Sequence, residues 1–128
     1  MPRILIAEDF REIRNLIIQV LSGDGYEIDA VTNGDEAIQK LSAQDYDAIL
    51  LDFMMPVASG RDVLDWMAEN RPELAQACVI IITAAMRELG QLDASTVYAS
   101  IAKPFEIDHL RDTVRNCVRD RGAATAAS

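Results

Sequence analysis

The sequence predicts an α/β fold in which five parallel strands alternate with helices. Short apolar runs recur along the 128 residues, and most are continuous rather than alternating, as in strands that are covered on both faces. Longer segments with helical spacing separate the runs, and strands that alternate with helices form a parallel sheet through right-handed crossovers. The five runs are RILIA (3–7), EIDAV (27–31), AILLD (48–52), CVIIIT (78–83) and ASIAK (99–103).

Helices are predicted where apolar residues recur three and four positions apart. Ser59 and Asp62 resemble a capping pair at the start of one of them. A helix in the segment 84–97 should be short or poorly held, because this segment contains Gly90 and finishes in STV. The residues that carry the helical spacing are Ile13, Leu16, Ile17, Val20 and Leu21, then Ala37, Ile38 and Leu41, then Val63, Leu64 and Met67, and finally Ile107, Leu110, Val114 and Val118.

Composition and charge narrow the class of protein. The chain fits one globular domain, and its 12 basic and 21 acidic residues give a net charge of −9. This balance argues against a nucleic-acid partner, since such a surface needs clustered Lys and Arg. No apolar run approaches the ~18 residues of a membrane span, and no signal peptide is recognisable at the N-terminus.

Two smaller expectations concern the cysteines and the C-terminus. Cys78 and Cys117 lack metal-ligand spacing and lie in apolar segments. They are interpreted as small buried thiols in a reducing cytoplasm rather than as a disulfide. The tail GAATAAS (122–128) is expected to be unstructured.

Polar residues follow four of the five predicted strands. They are Glu8 and Asp9, Asp52, Thr83 and Lys103. If the first and third strands are neighbours, the three carboxylates meet in one crevice at the carboxyl ends of the strands. Carboxylates this close repel one another unless a cation intervenes, and Mg²⁺ suits such an oxygen-rich site. With a lysine and a hydroxyl opposite, the group predicts metal-assisted phosphoryl transfer with Asp52 as nucleophile.

Each of these residues also has an ordinary structural interpretation. Asp9 with Glu12 makes an acceptable helix cap, and a lone Asp52 is more often the end of a strand. Thr83 can cap a helix, Lys103 with the proline after it can form a common turn, and the single His109 is expected on the surface. The joint placement of the polar residues at one end of the sheet favours the functional interpretation.

The combined pattern resembles the receiver domain of two-component response regulators. Its elements are the acidic pair after strand one, DFMMP (52–56) after strand three, Thr83 after strand four and KPF (103–105) after strand five. The resemblance covers about residues 3 to 120. It implies a flavodoxin-like doubly wound sheet ordered 2-1-3-4-5, within a receiver domain over 1–121 that is followed by a disordered tail.

The resemblance also implies roles for these residues. Asp52 would accept a phosphoryl group from a histidine kinase, a histidine phosphotransfer protein or a small phosphodonor, and Thr83 and Lys103 would bind phosphoryl oxygens. Glu8, Asp9, Asp52 and the backbone carbonyl of Met54 would hold Mg²⁺ (or Mn²⁺ in its place), with Glu8 acting mostly through water. The Met54 side chain would tune dephosphorylation, and the peptide bond before Pro104 would be cis.

One position departs from the family pattern. The family usually carries an aromatic residue three positions before the lysine, where this chain has Ser100, with Tyr98 two positions earlier. A small hydroxyl cannot fill the pocket that the aromatic fills. The hypothesis is therefore that the output is transmitted through the region 84–98, with partner contact on the exposed face of 84–120.

The expected function is that of a stand-alone bacterial phosphoacceptor in the cytoplasm. It would catalyse its own phosphorylation and dephosphorylation, signal by protein contact as a monomer or as a phosphorylation-dependent dimer, and involve neither membrane nor nucleic acid. The alternative is a pseudo-receiver, an interaction module that takes no phosphate. An aspartate-nucleophile hydrolase is disfavoured, because that chemistry needs a second carboxylate where Met54 stands.

Overall fold

The sheet has the predicted five parallel strands in the order β2-β1-β3-β4-β5. The structure is a computed structural model that describes residues 2–76, 78–84, 86–91 and 97–127. The strands coincide with the predicted apolar runs, except that the last ends one residue early. They are β1 (Arg3–Ala7), β2 (Glu27–Val31), β3 (Ala48–Asp52), β4 (Cys78–Thr83) and β5 (Ala99–Ala102).

Four α-helices connect and cover the strands within the described residues. They are α1 (Arg11–Gly23), α2 (Gly34–Ala43), α3 (Gly60–Asn70) and α4 (Ile107–Ala127). Two short 3-10 helices occupy Pro72–Gln76 and Met86–Gln91. The second replaces the helix expected in 84–97, so the prediction that this helix would be short is confirmed as far as residue 91, and residues 92–96 lie outside the described part.

The core has two layers, one on each face of the sheet. Successive residues of β1 point to opposite faces, so Leu5 joins the layer under α2 and α3 while Ile4 and Ile6 join the layer under α1 and α4. Strands β3 and β4 are buried along their whole length, which explains their continuous apolar sequences. The sheet therefore holds the residues at its carboxyl edge on a rigid support.

The predicted apolar helix faces are largely confirmed, with two exceptions. Leu16 is 37% exposed and Ile107 is 42% exposed, whereas Ile17 and Leu21 are fully buried. The buried stripe of α1 is centred on Ile17 and Leu21. Leu16 lies about 100° around the helix from Ile17 and therefore falls at the edge of the stripe. His109 is exposed, as expected. None of the helices in the described residues is both long and apolar enough to cross a membrane.

The cysteine prediction is wrong in the structure. Cys78 and Cys117 form a disulfide, with Cα atoms 5.6 Å apart. Cys78 begins β4 and Cys117 lies on α4, and both belong to the same core layer. Their pairing depends on how α4 lies across the sheet, which their separation of 39 residues in the chain does not reveal.

The C-terminal stretch also differs from expectation. Helix α4 continues to Ala127, so the stretch predicted as a disordered tail is helical as far as that residue, and residue 128 lies outside the description. Alanine has the highest helix propensity, and four of the five residues from 123 to 127 are alanine, which favours continuation of the helix past Gly122. The boundary of the receiver domain at residue 121 stays a prediction.

Candidate functional site

The strand register brings the three predicted carboxylates together. Leu51, the residue before Asp52, pairs with Ala7, the residue before Glu8, so the acidic residues leave β1 and β3 side by side. One carboxylate oxygen from each of Glu8, Asp9 and Asp52 lies within 4.8 Å of the others. The crevice inferred from the sequence is therefore present, because parallel strands place their carboxyl ends at one edge.

Lys103 reaches into this cluster from the other side. Its Nζ lies 2.6 Å from Glu8 Oε1 and 3.3 Å from Asp52 Oδ2. Its backbone N–H donates to the carbonyl of Thr83 at 2.9 Å, which ties the loop after β5 to the end of β4. The peptide bond between Lys103 and Pro104 is cis, as predicted.

Thr83 completes the ring of polar residues at the carboxyl ends. It is the last residue of β4, fully buried, and follows Ile82, which pairs with Asp52. Its neighbour on the other side is Ala102, directly before Lys103. All five predicted side chains thus come from adjacent strand ends of one sheet edge.

Burial and mutual repulsion set the electrostatics of the cluster. Glu8 is 2% exposed and Asp52 is 4% exposed. Burial, and then the adjoining Glu8 carboxylate, raise the pKa of Asp52 to about 7, although the charge of Lys103 opposes them. Burial alone would lower the pKa of Lys103, but its contacts with Glu8 and Asp52 outweigh burial and raise that pKa. One ammonium therefore compensates the three carboxylates only in part.

The donor set fits a hard divalent cation. Glu8 Oε1 is buried and has no hydrogen bond of acceptable geometry from any described residue, although the Lys103 ammonium lies close to it. Asp9 is exposed and opens the cluster to solvent, which leaves room for the water ligands that Mg²⁺ keeps. Buried carboxylate oxygen, excess negative charge and access for water are the features that such a site needs.

Backbone N–H groups orient two of the carboxylates. Phe10 N–H donates to Glu8 Oε2 at 3.2 Å, and Met54 N–H donates to Asp52 Oδ1 at 3.2 Å. Helix α1 has Phe10 at its N-cap, without a side-chain cap. The alternative interpretation of Asp9 as a helix cap is therefore not the arrangement in the structure.

The loop from β3 to α3 depends on a close approach that the sequence analysis did not identify. The predicted Ser59–Asp62 pair forms a full capping box at the start of α3. Gly60, which follows Ser59, donates its N–H to the Phe53 carbonyl at 2.9 Å. A Cβ atom at position 60 would lie 2.8 Å from the Asp52 carbonyl oxygen. Only glycine allows α3 to begin this near the backbone of Asp52.

Val57 in the same loop has a strained backbone. Its φ is +68°, and Ala58 N–H donates to the Pro56 carbonyl at 2.8 Å across a tight three-residue turn. A left-handed conformation is costly for a β-branched residue, and this side chain is 80% exposed, so packing does not compensate for the strain.

Val57→Gly is expected to raise the free energy of unfolding by about 1 kcal/mol. Relief of the left-handed strain should exceed the extra backbone entropy of glycine in the unfolded chain. Chemical denaturation with matched m-values measures the difference. Val57→Ala is the control, since it keeps most of the backbone strain, and a Val57→Gly protein less stable than wild type would contradict the prediction.

The structure also locates the two residues of the family departure. Ser100 is exposed on β5. Tyr98 packs against the core layer that contains α4, and its hydroxyl donates to Asp120 at 2.8 Å. Tyr98 is thus attached to the last helix, and it does not take the place of an aromatic at position 100.

Arg14 contacts the acidic loop, although no pattern in the sequence indicates it. Its Nη1 donates to the carbonyl of Glu8 at 3.1 Å and to that of Asp9 at 3.4 Å. An arginine on an amphipathic helix carries no sign that it will turn back onto the preceding loop. Only the position of α1 relative to β1 reveals the contact.

Comparison with known proteins agrees with this geometry. Residues 4–115 match the model of the response regulator receiver domain family. The transcriptional regulatory protein DltR of Streptococcus agalactiae is 32% identical over 115 residues, which are 88% of this chain and 50% of the relative. The receiver protein CpdR of Brucella abortus is 32% identical over 116 residues, 89% of this chain and 92% of the relative.

Solved structures show the same fold. The response regulator TrrA of Thermotoga maritima in complex with Mg²⁺–BeF has a TM-score of 0.81 at 32% identity, covering 91% of this chain and 99% of that one. A structure of TrrA in complex with the histidine kinase ThkA matches with a TM-score of 0.75 at 33% identity, covering 91% and 98%. This chain spans about half the length of the first curated relatives. The fold, the carboxylate cluster and the family match together show that the chain belongs to the response regulator receiver domain family.

Proposed function

We propose that this chain accepts a phosphoryl group on Asp52 in a Mg²⁺-dependent reaction and signals through contact with another protein. The observation that carries the proposal is the cluster of Glu8, Asp9 and Asp52 with the Lys103 ammonium inserted between two of its carboxylates. The excess negative charge of this cluster favours a divalent cation, and a bound cation together with the Lys103 ammonium would offset the charge of an incoming phosphoryl group.

The Asp52 carboxylate acts as the nucleophile. One of its oxygens attacks phosphorus, a new O–P bond forms, and the P–N bond of a phosphohistidine breaks; the imidazole leaves with the bonding pair and takes up a proton. Met54 N–H and the Lys103 ammonium each hold one oxygen of Asp52, which fixes the carboxylate for in-line attack. Lys103 and the Thr83 hydroxyl then bind oxygens of the transferred group.

Glu8, Asp9, Asp52 and the Met54 carbonyl would hold the metal ion, and Glu8 would act mainly through water. When bound, Mg²⁺ supplies positive charge that offsets the negative charge on the phosphoryl oxygens. Mn²⁺ is a suitable replacement, since it prefers the same oxygen ligands. The exposed Met54 side chain lies beside the acceptor and influences the access of water during dephosphorylation.

The phosphodonor is a histidine kinase or a histidine phosphotransfer protein. TrrA, which this chain resembles, has been solved bound to a histidine kinase. The output is contact with a protein in the bacterial cytoplasm, by a monomer or by a dimer that phosphorylation induces. The longer relatives are transcriptional regulators, whereas the net charge of −9 on this chain makes a direct nucleic-acid contact by these residues unfavourable.

The signal leaves the site through the region 84–98 rather than through an aromatic switch. Ser100 is small and exposed, and Tyr98 is held by Asp120 on α4. Within this region the structure describes a 3-10 helix at Met86–Gln91, whose hydrogen-bond geometry is poorer than that of an α-helix and which therefore resists rearrangement less. The segment 84–120 offers its exposed face to the partner.

Asp52→Asn is expected to abolish phosphorylation. Wild-type protein incubated with acetyl phosphate should gain the mass of one phosphoryl group in the presence of Mg²⁺ and not in its absence, because the cation would offset the repulsion between the carboxylates and the phosphoryl group. The Asp52→Asn variant should gain none, because the amide of asparagine is not a nucleophile that replaces the carboxylate. Intact-mass spectrometry measures the gain. Asp65→Asn, at an exposed position on α3, is the matched control and should label as wild type does.

Two outcomes would overturn the proposal. Wild-type protein that gains no mass with Mg²⁺ would instead be the pseudo-receiver, an interaction module without phosphorylation. An equal gain in Asp52→Asn would place the phosphoryl group on another residue.

A further inference from the structure

We propose that Arg14 is a positioning residue that holds the loop 8–10 in the conformation in which its carboxylates bind a divalent cation. The inference rests on the proposed Mg²⁺ site and adds a residue from α1 that does not itself touch the cation. It concerns the backbone of the acidic pair rather than its side chains.

The guanidinium bonds two successive carbonyls of the acidic loop. Arg14 Nη1 donates to the Glu8 and Asp9 carbonyls at 3.1 and 3.4 Å. Bonds from one rigid donor to two adjacent peptide groups restrict the backbone torsions between them, because both carbonyls must point toward the same nitrogen. The Glu8 and Asp9 side chains are then directed from a fixed stretch of backbone.

Glu8 is held from other sides as well. Its N–H donates to the Val31 carbonyl on β2 at 3.1 Å, and its Oε2 accepts from Phe10 N–H at 3.2 Å. The backbone N–H of Glu8 is bonded within the sheet, whereas its carbonyl accepts its hydrogen bond from the Arg14 side chain. Without Arg14, Glu8 would keep its hydrogen bonds to β2 and to Phe10, but the Glu8 and Asp9 carbonyls would lose theirs.

The position of Arg14 suits this role better than a role in a surface ion pair. The side chain is partly buried on α1, and its charge adds to the Thr32 hydrogen bonds that lower the pKa of Glu36 at the start of α2. Arg14 therefore lies near the start of α1, next to the loop after β1. Arg11, on the same helix, is exposed, and it has the same charge without these bonds to the loop.

The test is Mg²⁺ binding to the metal-free protein, measured by isothermal titration calorimetry with MgCl₂. Arg14→Gln is expected to weaken Mg²⁺ affinity roughly tenfold, as the loss of hydrogen bonds behind metal ligands does elsewhere. Arg11→Gln removes the same charge from the same helix and should change the affinity by less than about twofold, since salt screens an exposed charge. Arg14→Lys retains the charge without the guanidinium geometry and should fall between the two.

A second measurement needs no metal. Amide hydrogen exchange at Asp9 and Phe10 should quicken in Arg14→Gln and remain unchanged in Arg11→Gln, because only the first change releases the loop. Global unfolding in urea shows whether each variant is folded. If Arg14→Gln does not fold, the Mg²⁺ affinity and the amide exchange of Arg14→Lys test the positioning role instead.

The outcomes separate this proposal from the proposed function. Equal Mg²⁺ affinity in wild type and Arg14→Gln, or an equal loss in Arg11→Gln, would overturn the positioning role. Wild-type protein that binds Mg²⁺ but takes no phosphoryl group would overturn the function alone. Wild-type protein that binds no Mg²⁺ would overturn both.

Discussion

Asp52→Asn is expected to stabilise the metal-free protein at about pH 8 by on the order of 3 kcal/mol, and to have little effect near pH 4. The Asp52 carboxyl has a pKa of about 7 in the folded protein, mainly because it is buried beside Glu8, against ~3.9 for an unperturbed aspartate. Because the pKa is higher in the folded protein, ionisation of Asp52 costs more free energy in the folded state than in the unfolded chain. The contribution of Asp52 to the wild-type free energy of unfolding should therefore fall as the pH rises from about 4 to about 7, and then level off.

Urea unfolding in the presence of a chelator measures this difference at a series of pH values. Trp66 is a suitable fluorophore, since it is partly buried against the core layer under α2 and α3. Asparagine cannot ionise, so the variant should lack the fall between about pH 4 and pH 7. Asp65→Asn should follow the wild-type curve, and a difference between Asp52→Asn and wild type that does not change with pH would refute the explanation.

Magnesium should reverse this effect in the wild-type protein. A cation that binds the folded state alone adds stability in proportion to the logarithm of its concentration above Kd. Saturating Mg²⁺ should thus bring wild type toward or beyond Asp52→Asn, whose site has one carboxylate fewer. The repulsion that destabilises the metal-free site is in this view the source of its affinity for a cation.

Reduction of the disulfide between Cys78 and Cys117 is expected to lower the free energy of unfolding by about 4 kcal/mol. The cross-link joins residues 39 apart in the chain, and a closed loop of this size restricts the unfolded chain by about that amount. The loop contains both Thr83 and Lys103, so the bond also limits separation of the two strand ends that face Asp52. Urea unfolding with and without dithiothreitol measures the change.

The double variant Cys78→Ala and Cys117→Ala is the control, because dithiothreitol should have no effect on it. If the natively purified protein contains two thiols that react after unfolding without reductant, the pair is reduced in solution and the earlier expectation of free thiols returns. Such a result would fit a reducing compartment, in which disulfides are rare.

Much of the fold follows from local patterns in the sequence. Continuous apolar runs such as AILLD (48–52) that are flanked by periodic helices are typical of strands covered on both sides, and the structure places β3 between β1 and β4 accordingly. The Ser59–Asp62 capping box was predictable for the same reason, since both partners lie within one helical turn. The strand order itself was predicted through the family resemblance.

The members of the candidate site were also predictable from their positions at strand ends. Parallel strands all point one way, so residues that directly follow them gather at one edge however far apart they are in the chain. Glu8, Asp52 and Lys103 are separated by tens of residues, and their contacts follow from this rule. Their roles in phosphoryl transfer remain a proposal for experiment.

Contacts that depend on how helices lie on the sheet were beyond the sequence. Cys78 and Cys117 pair because α4 packs across the start of β4. Arg14 reaches the acidic loop because α1 packs close to the end of β1. Gly60 is required because α3 starts against the backbone of Asp52. Sequence patterns indicate which face of a helix or strand a residue lies on, and which strand end it follows. Which groups meet across that face is determined by the packing of whole elements, and only the tertiary structure specifies it.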